Sequence, residues 1–127
     1  MYAAQINAYQ TNNKVSLSGR ELEAEVLCKA AVRLKECQDN WDSPDNASGM
    51  LSDALKYNQK VWSFFQTEIA NPENPLPTKL KEDLLNLSIF IDKRTFEILA
   101  YPAPEKLSAL ISINLNIAAG LRGNPAE

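Results

Sequence analysis

The chain has no histidine. That removes the commonest general acid and base, the Ser–His and Cys–His nucleophile pairs, and most zinc sites. It also removes the Glu-x-x-His ligand pattern of di-iron bundles. Glycine occurs only four times, with no spacing that builds a phosphate loop or a dinucleotide fingerprint. The two cysteines, Cys28 and Cys37, fall on one expected helix. Nine residues apart they lie on opposite faces, roughly 13 Å along the axis, whereas a disulfide needs Cα atoms within about 7 Å. Reduced thiols suit a cytoplasmic protein, and Cys37, on the apolar arc, reads as a small core residue. No apolar run approaches a membrane span, and Met1–Gln10 has neither the basic region nor the apolar run of a signal peptide. The sequons at Asn46 and Asn86 therefore read as chance.

Charge is equally unspecialised. Thirteen basic and sixteen acidic residues give a net charge of −3. The lysines and arginines are scattered, with short clusters only at Lys79/Lys81 and Lys93/Arg94. Without a concentrated basic face, direct nucleic-acid binding is not expected. The carboxylates follow surface-helix patterns, as at Glu21/Glu25 and Glu82/Asp83. The inventory of catalytic groups is empty enough that neither an enzyme nor a bound metal or cofactor is expected.

What the chain does have is helical periodicity, and no strand-like alternation. Ser18-Gly19-Arg20-Glu21 is a capping-box pattern that predicts a helix to about Asn40. Its apolar arc is Leu22, Val26, Leu27, Ala30, Leu34, Cys37 and Trp41, with Glu23 and Arg33 lying closer to that arc than the other charges. Ser43-Pro44-Asp45-Asn46 marks a turn. A second helix starts at Ser43 or Ser48, the N-cap being expected near Ser48 with Gly49 a weak point. It ends before Asn71-Pro72-Glu73-Asn74-Pro75-Leu76-Pro77, where three prolines forbid helix and favour a stiff connection. A third helix runs from Pro77 or Thr78 to about Tyr101. It carries one stripe of Leu80, Leu84, Leu87, Ile91 and Ile98, and an opposite stripe of Leu85, Ile89, Phe96 and Leu99. Pro104 is placed to open a last helix bearing Leu107, Leu110, Ile111, Ala118 and Leu121, with Asn114 in mid-stripe. The expected fold is all-α: a single-domain bundle of four main helices over residues 18–123. A flexible or short-helical N-terminal arm covers 1–17, with Tyr2, Ile6 and Tyr9 on one face, and a C-terminal tail covers 124–127.

The second helix is the most unusual element. At about 100° per residue, Leu51, Leu55, Trp62, Phe65 and Ile69 form one stripe that includes Asn58. Met50, Ala54, Tyr57, Val61 and Phe64 form another, so that apolar residues cover roughly half the cylinder. Either this helix is central in the bundle or it presents surface to a partner. Leu51, Leu55, Trp62 and Phe65 are expected in the core, and Tyr57, Val61 and Phe64 on the partner side. Asn58, Trp62 and Trp41 complete the candidate partner-binding set, each with two readings. Asn58 and Asn114 either fix helix register as satisfied buried amides or mark the edge of a groove for a guest helix. The tryptophans are either core or binding anchors.

Several runs in order resemble the FlaF flagellar biosynthesis proteins. These are Met1-Tyr2-Ala3-Ala4, Arg20-Glu21-Leu22-Glu23-Ala24-Glu25, Lys29-Ala30-Ala31-Val32-Arg33-Leu34, Asn40-Trp41-Asp42, Ala54-Leu55-Lys56-Tyr57-Asn58-Gln59-Lys60-Val61-Trp62 and Asn74-Pro75-Leu76-Pro77. Pro102-Ala103-Pro104-Glu105-Lys106-Leu107, Leu110-Ile111-Ser112-Ile113-Asn114 and Ala119-Gly120-Leu121-Arg122-Gly123 extend the similarity to the C-terminal end. The resemblance implies a cytoplasmic, non-enzymatic factor needed for flagellin production and filament assembly, with flagellin as binding partner and a role as its chaperone for type III secretion. It also implies action opposite FlbT, a post-transcriptional repressor of flagellin synthesis. The alternative is therefore a regulator working through FlbT or the flagellin message without stable flagellin binding. A third reading pairs the extra stripes across a homodimer instead of leaving a monomer with an open face.

Overall fold

The computed structural model describes residues 19–123. The expected arm over 1–17, the cap residue Ser18 and the tail over 124–127 lie outside the described residues. Four α-helices follow one another: α1 (Gly19–Asp39), α2 (Leu51–Ala70), α3 (Thr78–Ala100) and α4 (Leu107–Leu121). No strand occurs among the described residues, so the all-α bundle expected from periodicity is the fold.

The connections follow from their polar residues. After α1, the Ser43 hydroxyl accepts from the Asp45 amide at 3.1 Å, and the chain turns through one wide helical turn, Asn46–Met50. Gly49 sits there at φ 130°, a left-handed conformation that a side chain would strain. The turn thus begins at Ser43. Ser48 does not cap α2, because its hydroxyl donates back to the Pro44 carbonyl at 2.8 Å, the local bonding short hydroxyl side chains favour. Between α2 and α3 the prolines exclude helix and asparagines organise the loop. Asn74 donates to the Glu68 carbonyl at 3.1 Å and accepts from the Leu76 amide at 3.0 Å. A single 3₁₀ turn, Pro104–Lys106, leads into α4.

Helices α1 and α4 form the most intimate pair. Both carry small buried residues, Ala24, Ala30 and Ala31 on α1 and Ala118 on α4, which permit close backbone approach. Two ties fix them antiparallel. At one end Arg122 Nε donates to the Glu21 carboxylate at 3.0 Å and 3.1 Å. At the other, Gln38 Nε2 donates to the Pro104 carbonyl and the Ser108 hydroxyl, both at 2.9 Å. Helix α2 packs on α1, and α3 packs on α2 and only lightly on α4. Helix α3 is therefore the outermost element. Leu84, Ile91 and Ile98, each seven residues apart, are its buried apolar contacts, and a Gln66–Ser88 hydrogen bond pins it to α2.

A chain of buried polar groups joins α2 to α4. Trp62 Nε1 donates to Asn114 Oδ1 at 2.8 Å, and Asn114 Nδ2 donates to Asn58 Oδ1 at 2.7 Å. All three side chains are fully enclosed, and Asn58 Nδ2 has no partner. A buried indole N–H or amide left unpaired costs about 1–3 kcal/mol. The chain thus penalises any rotation or slide of α2 against α4. Asn114→Leu should lower unfolding free energy by about 2–4 kcal/mol, since it orphans Trp62 and Asn58 together. Urea unfolding measures this, with the m-value unchanged if the fold is retained.

Cys28 and Cys37 are both free thiols. Burial, and secondarily the neighbouring Glu36 carboxylate, pushes the Cys37 thiol above its ordinary pKa. A raised native pKa means that the unfolded chain ionises first. The Cys37 contribution to stability is therefore complete below about pH 8.5, where an unfolded thiol titrates, and declines above it. Native protein should react with a thiol reagent at the half-buried Cys28 well before Cys37, and Cys37→Ser should flatten the alkaline fall in stability measured by urea titration.

Candidate functional site: two exposed apolar surfaces

The residues chosen from sequence separate into core and surface. Trp62 is 1 % exposed and Asn58 is 0 % exposed. Both serve the internal polar chain, so a partner cannot reach them without opening the bundle, and the partner-contact reading of these two is corrected to a register role. The physical reason is their spacing: at i and i+4 they share the face of α2 turned toward α4. Trp41 is half-buried against the core, and its carbonyl accepts from Asn46 Nδ2 at 3.2 Å. It lies beyond the end of α1 and does not line the groove described next.

Tyr57, Val61 and Phe64 do come together. They form one wall of a groove between α1 and α2, with Leu22 and Val26 on the opposite wall and Glu23, Lys60 and Glu68 at its edges. The groove encloses about 500 Å³. Val61 is buried at its floor, Tyr57 is half-buried, and Phe64 is 53 % exposed. Arg33 stacks its guanidinium over the Tyr57 ring, 4.4 Å from the centroid, a cation–π contact that explains an arginine so near the apolar arc. Glu23, the other charge near that arc, pairs with Arg20 at 3.3 Å. Phe64 meets Phe65 edge-on, with centroids 6.1 Å apart.

The larger exposed surface belongs to α3. Leu85, Ile89, Phe96 and Leu99 are all exposed, Phe96 at 65 %. With Asp92 they are spaced 4-3-4-3, a heptad seam about 21 Å long at 1.5 Å per residue. The seam lies about a third of a turn from the buried Leu84/Ile91/Ile98 face. Asp92 makes no ion pair among the described residues. The sequence placed this second stripe correctly but left its residues out of the candidate set. The sign of an open seam was there: the seven-residue repeat Leu84, Ile91, Ile98 already supplies a core contact, so the second stripe had no internal neighbour to cover it. Scattered exposed apolar residues are ordinary, whereas a continuous stripe on one helix face marks an interaction surface.

Among the described residues no group of three or more histidine, cysteine, aspartate or glutamate side chains is arranged to hold a metal ion, and no helix is long and apolar enough to cross a membrane.

A four-helix bundle whose outermost helix carries an open heptad seam, stitched internally by an indole–amide chain, defines the kind of protein this is by fold. Its family follows from the chain as a whole: the flagellar protein FlaF family model matches residues 5–121, and the chain belongs to that family. Among curated proteins and among solved structures, nothing matches it.

Core and seam should respond differently to substitution. Ile89→Lys and Phe96→Lys should each change unfolding free energy by no more than about 0.5 kcal/mol, as surface positions do. Trp62→Ala should cost about 3–5 kcal/mol. Urea or thermal unfolding of the three variants checks both.

Proposed function

We propose that this protein is a non-enzymatic flagellar factor that binds flagellin in the cytoplasm, as a secretion chaperone supporting flagellin synthesis and filament assembly. Membership of the FlaF family supplies the flagellar setting. The observation that carries the binding reading is the open α3 seam, Leu85, Ile89, Phe96 and Leu99. A 4-3-4-3 apolar stripe accepts a guest helix by knobs-into-holes packing. The guest it suits is an apolar helical segment of flagellin, which self-associates through helices once exported and needs them covered beforehand. Asp92, in mid-seam, favours a lysine, arginine or amide side chain on the guest and disfavours a carboxylate.

Phe96 is the anchor of this reading: it is the most exposed apolar side chain of the seam, and large aromatic anchors carry a disproportionate share of interface energy. Calorimetry with purified flagellin tests it. Binding at micromolar concentration or tighter is expected, weakened at least about tenfold by Phe96→Asp, as for the loss of one anchor. Absence of heat at micromolar concentration overturns the chaperone reading in favour of a regulator acting through FlbT or the flagellin message. Binding that survives Phe96→Asp but is lost in Phe64→Asp moves the flagellin site to the α1–α2 groove.

A further inference from the structure

The α1–α2 groove is uncovered within the described residues, and it opens where the chain enters α1: Gly19 itself lines it, beside Leu22 and Val26. We infer that the groove seats the chain's own N-terminal segment, with Tyr2, Ile6 and Tyr9 laid against Val26, Val61 and Phe64. The inference goes beyond the flagellin reading and does not depend on it.

Four observations single out this occupant. The first is direction. Leu17 and Leu22 flank the capping pattern Ser18–Glu21 at the two positions that pack together in a hydrophobic staple, and Leu22 is a groove wall. A staple at these positions would direct the preceding chain toward the groove. The second is reach. On α2 the groove runs from Tyr57 to Glu68, about 17 Å at helical rise, and a helical Tyr2–Tyr9 spans about 10 Å. Gln10–Ser18 then form a link able to span about 30 Å, at 3.3 Å per residue, so the segment reaches any part of the groove. The third is pattern: Tyr2, Ile6 and Tyr9 at i, i+4 and i+7 present one apolar face to a groove whose walls are Leu22, Val26, Val61 and Phe64.

The fourth is charge. Lys14 is the single charged side chain in residues 1–18. Glu68, at the groove's end, makes no ion pair among the described residues. The segment thus brings a cation and no carboxylate to an edge where a carboxylate is unmatched. Tethering decides between this occupant and a second copy of the chain. Covalent attachment through a link this short holds the segment at an effective concentration of order millimolar, above that of any free copy in a dilute sample.

The experiment is solution NMR on the full chain, without flagellin. Contacts are expected between Ile6 methyl protons and the Phe64 ring and Val61 methyls. Amide exchange over residues 2–9 should be at least about tenfold slower than in Phe64→Asp, where the seat is lost. Ile6→Asp, which changes no residue of α1–α4, should remove the same contacts while leaving α1–α4 resonances in place. Absence of Ile6–Phe64 contacts in the wild-type chain overturns the inference. So does their appearance only between differently labelled copies, which would assign the groove to a second molecule. Because no flagellin is present, either result is independent of the chaperone reading.

Discussion

Three side chains that never touch solvent set the geometry of this bundle. Trp62 gives its indole N–H to Asn114, and Asn114 gives its amide to Asn58. Because Asn58 and Trp62 are one turn apart on α2, the two bonds define an axis between α2 and α4 and leave α2 little freedom to rotate. Apolar contacts alone tolerate rotation, since one leucine can replace another in a hole; a buried hydrogen bond does not, because a misplaced partner leaves a polar group orphaned. With the Asn58 face of α2 fixed toward α4, the stripe about 90° around it, Tyr57, Val61 and Phe64, must open beside α1. The groove is thus a consequence of the polar chain.

The same constraint distributes the rest of the bundle. Helix α4 is held by α1, through small residues and through the ties at Glu21–Arg122 and Gln38–Ser108. It leaves little surface for α3, which packs on α2. A helix held from one side needs only one apolar face for its own stability. Helix α3 carries two, and the outer one contributes nothing to the core. Among the described residues nothing covers Leu85, Ile89, Phe96 and Leu99, and exposed apolar stripes carry an aggregation hazard that a surface of polar residues would avoid. A partner covering the seam, as proposed above, would account for both facts without being required for the bundle to fold.

Much of this was legible in the sequence because it rests on period and punctuation. The four helices, the proline-bounded connections and most of the inner stripe of α3 follow from residues whose local preferences agree with the fold, although Leu80, which opens that stripe, is exposed. The start of α2 was less legible. Ser43 and Ser48 offer equivalent caps, and the outcome turned on which backbone group each hydroxyl meets in three dimensions, an amide N–H for Ser43 and a carbonyl for Ser48. The site was legible only in part. Tyr57, Val61 and Phe64 share a stripe and share a groove. Asn58 and Trp62 looked like groove-edge residues because an amide or indole on an apolar stripe signals either a buried network or an interface, and only the position of Asn114, more than fifty residues away, separates the two. The α3 seam was visible as a stripe, but which of two stripes faces the core depends on the neighbour that claims it.

The proposed function seats flagellin on the outer face of α3. Amide hydrogen exchange of the protein alone and in complex with flagellin reads this directly along the chain. The account predicts that slowed exchange on complex formation concentrates within residues 85–99, with α1 and α4 changed little. A footprint confined to α1 and α4, with α3 exchanging as in the free protein, would contradict it.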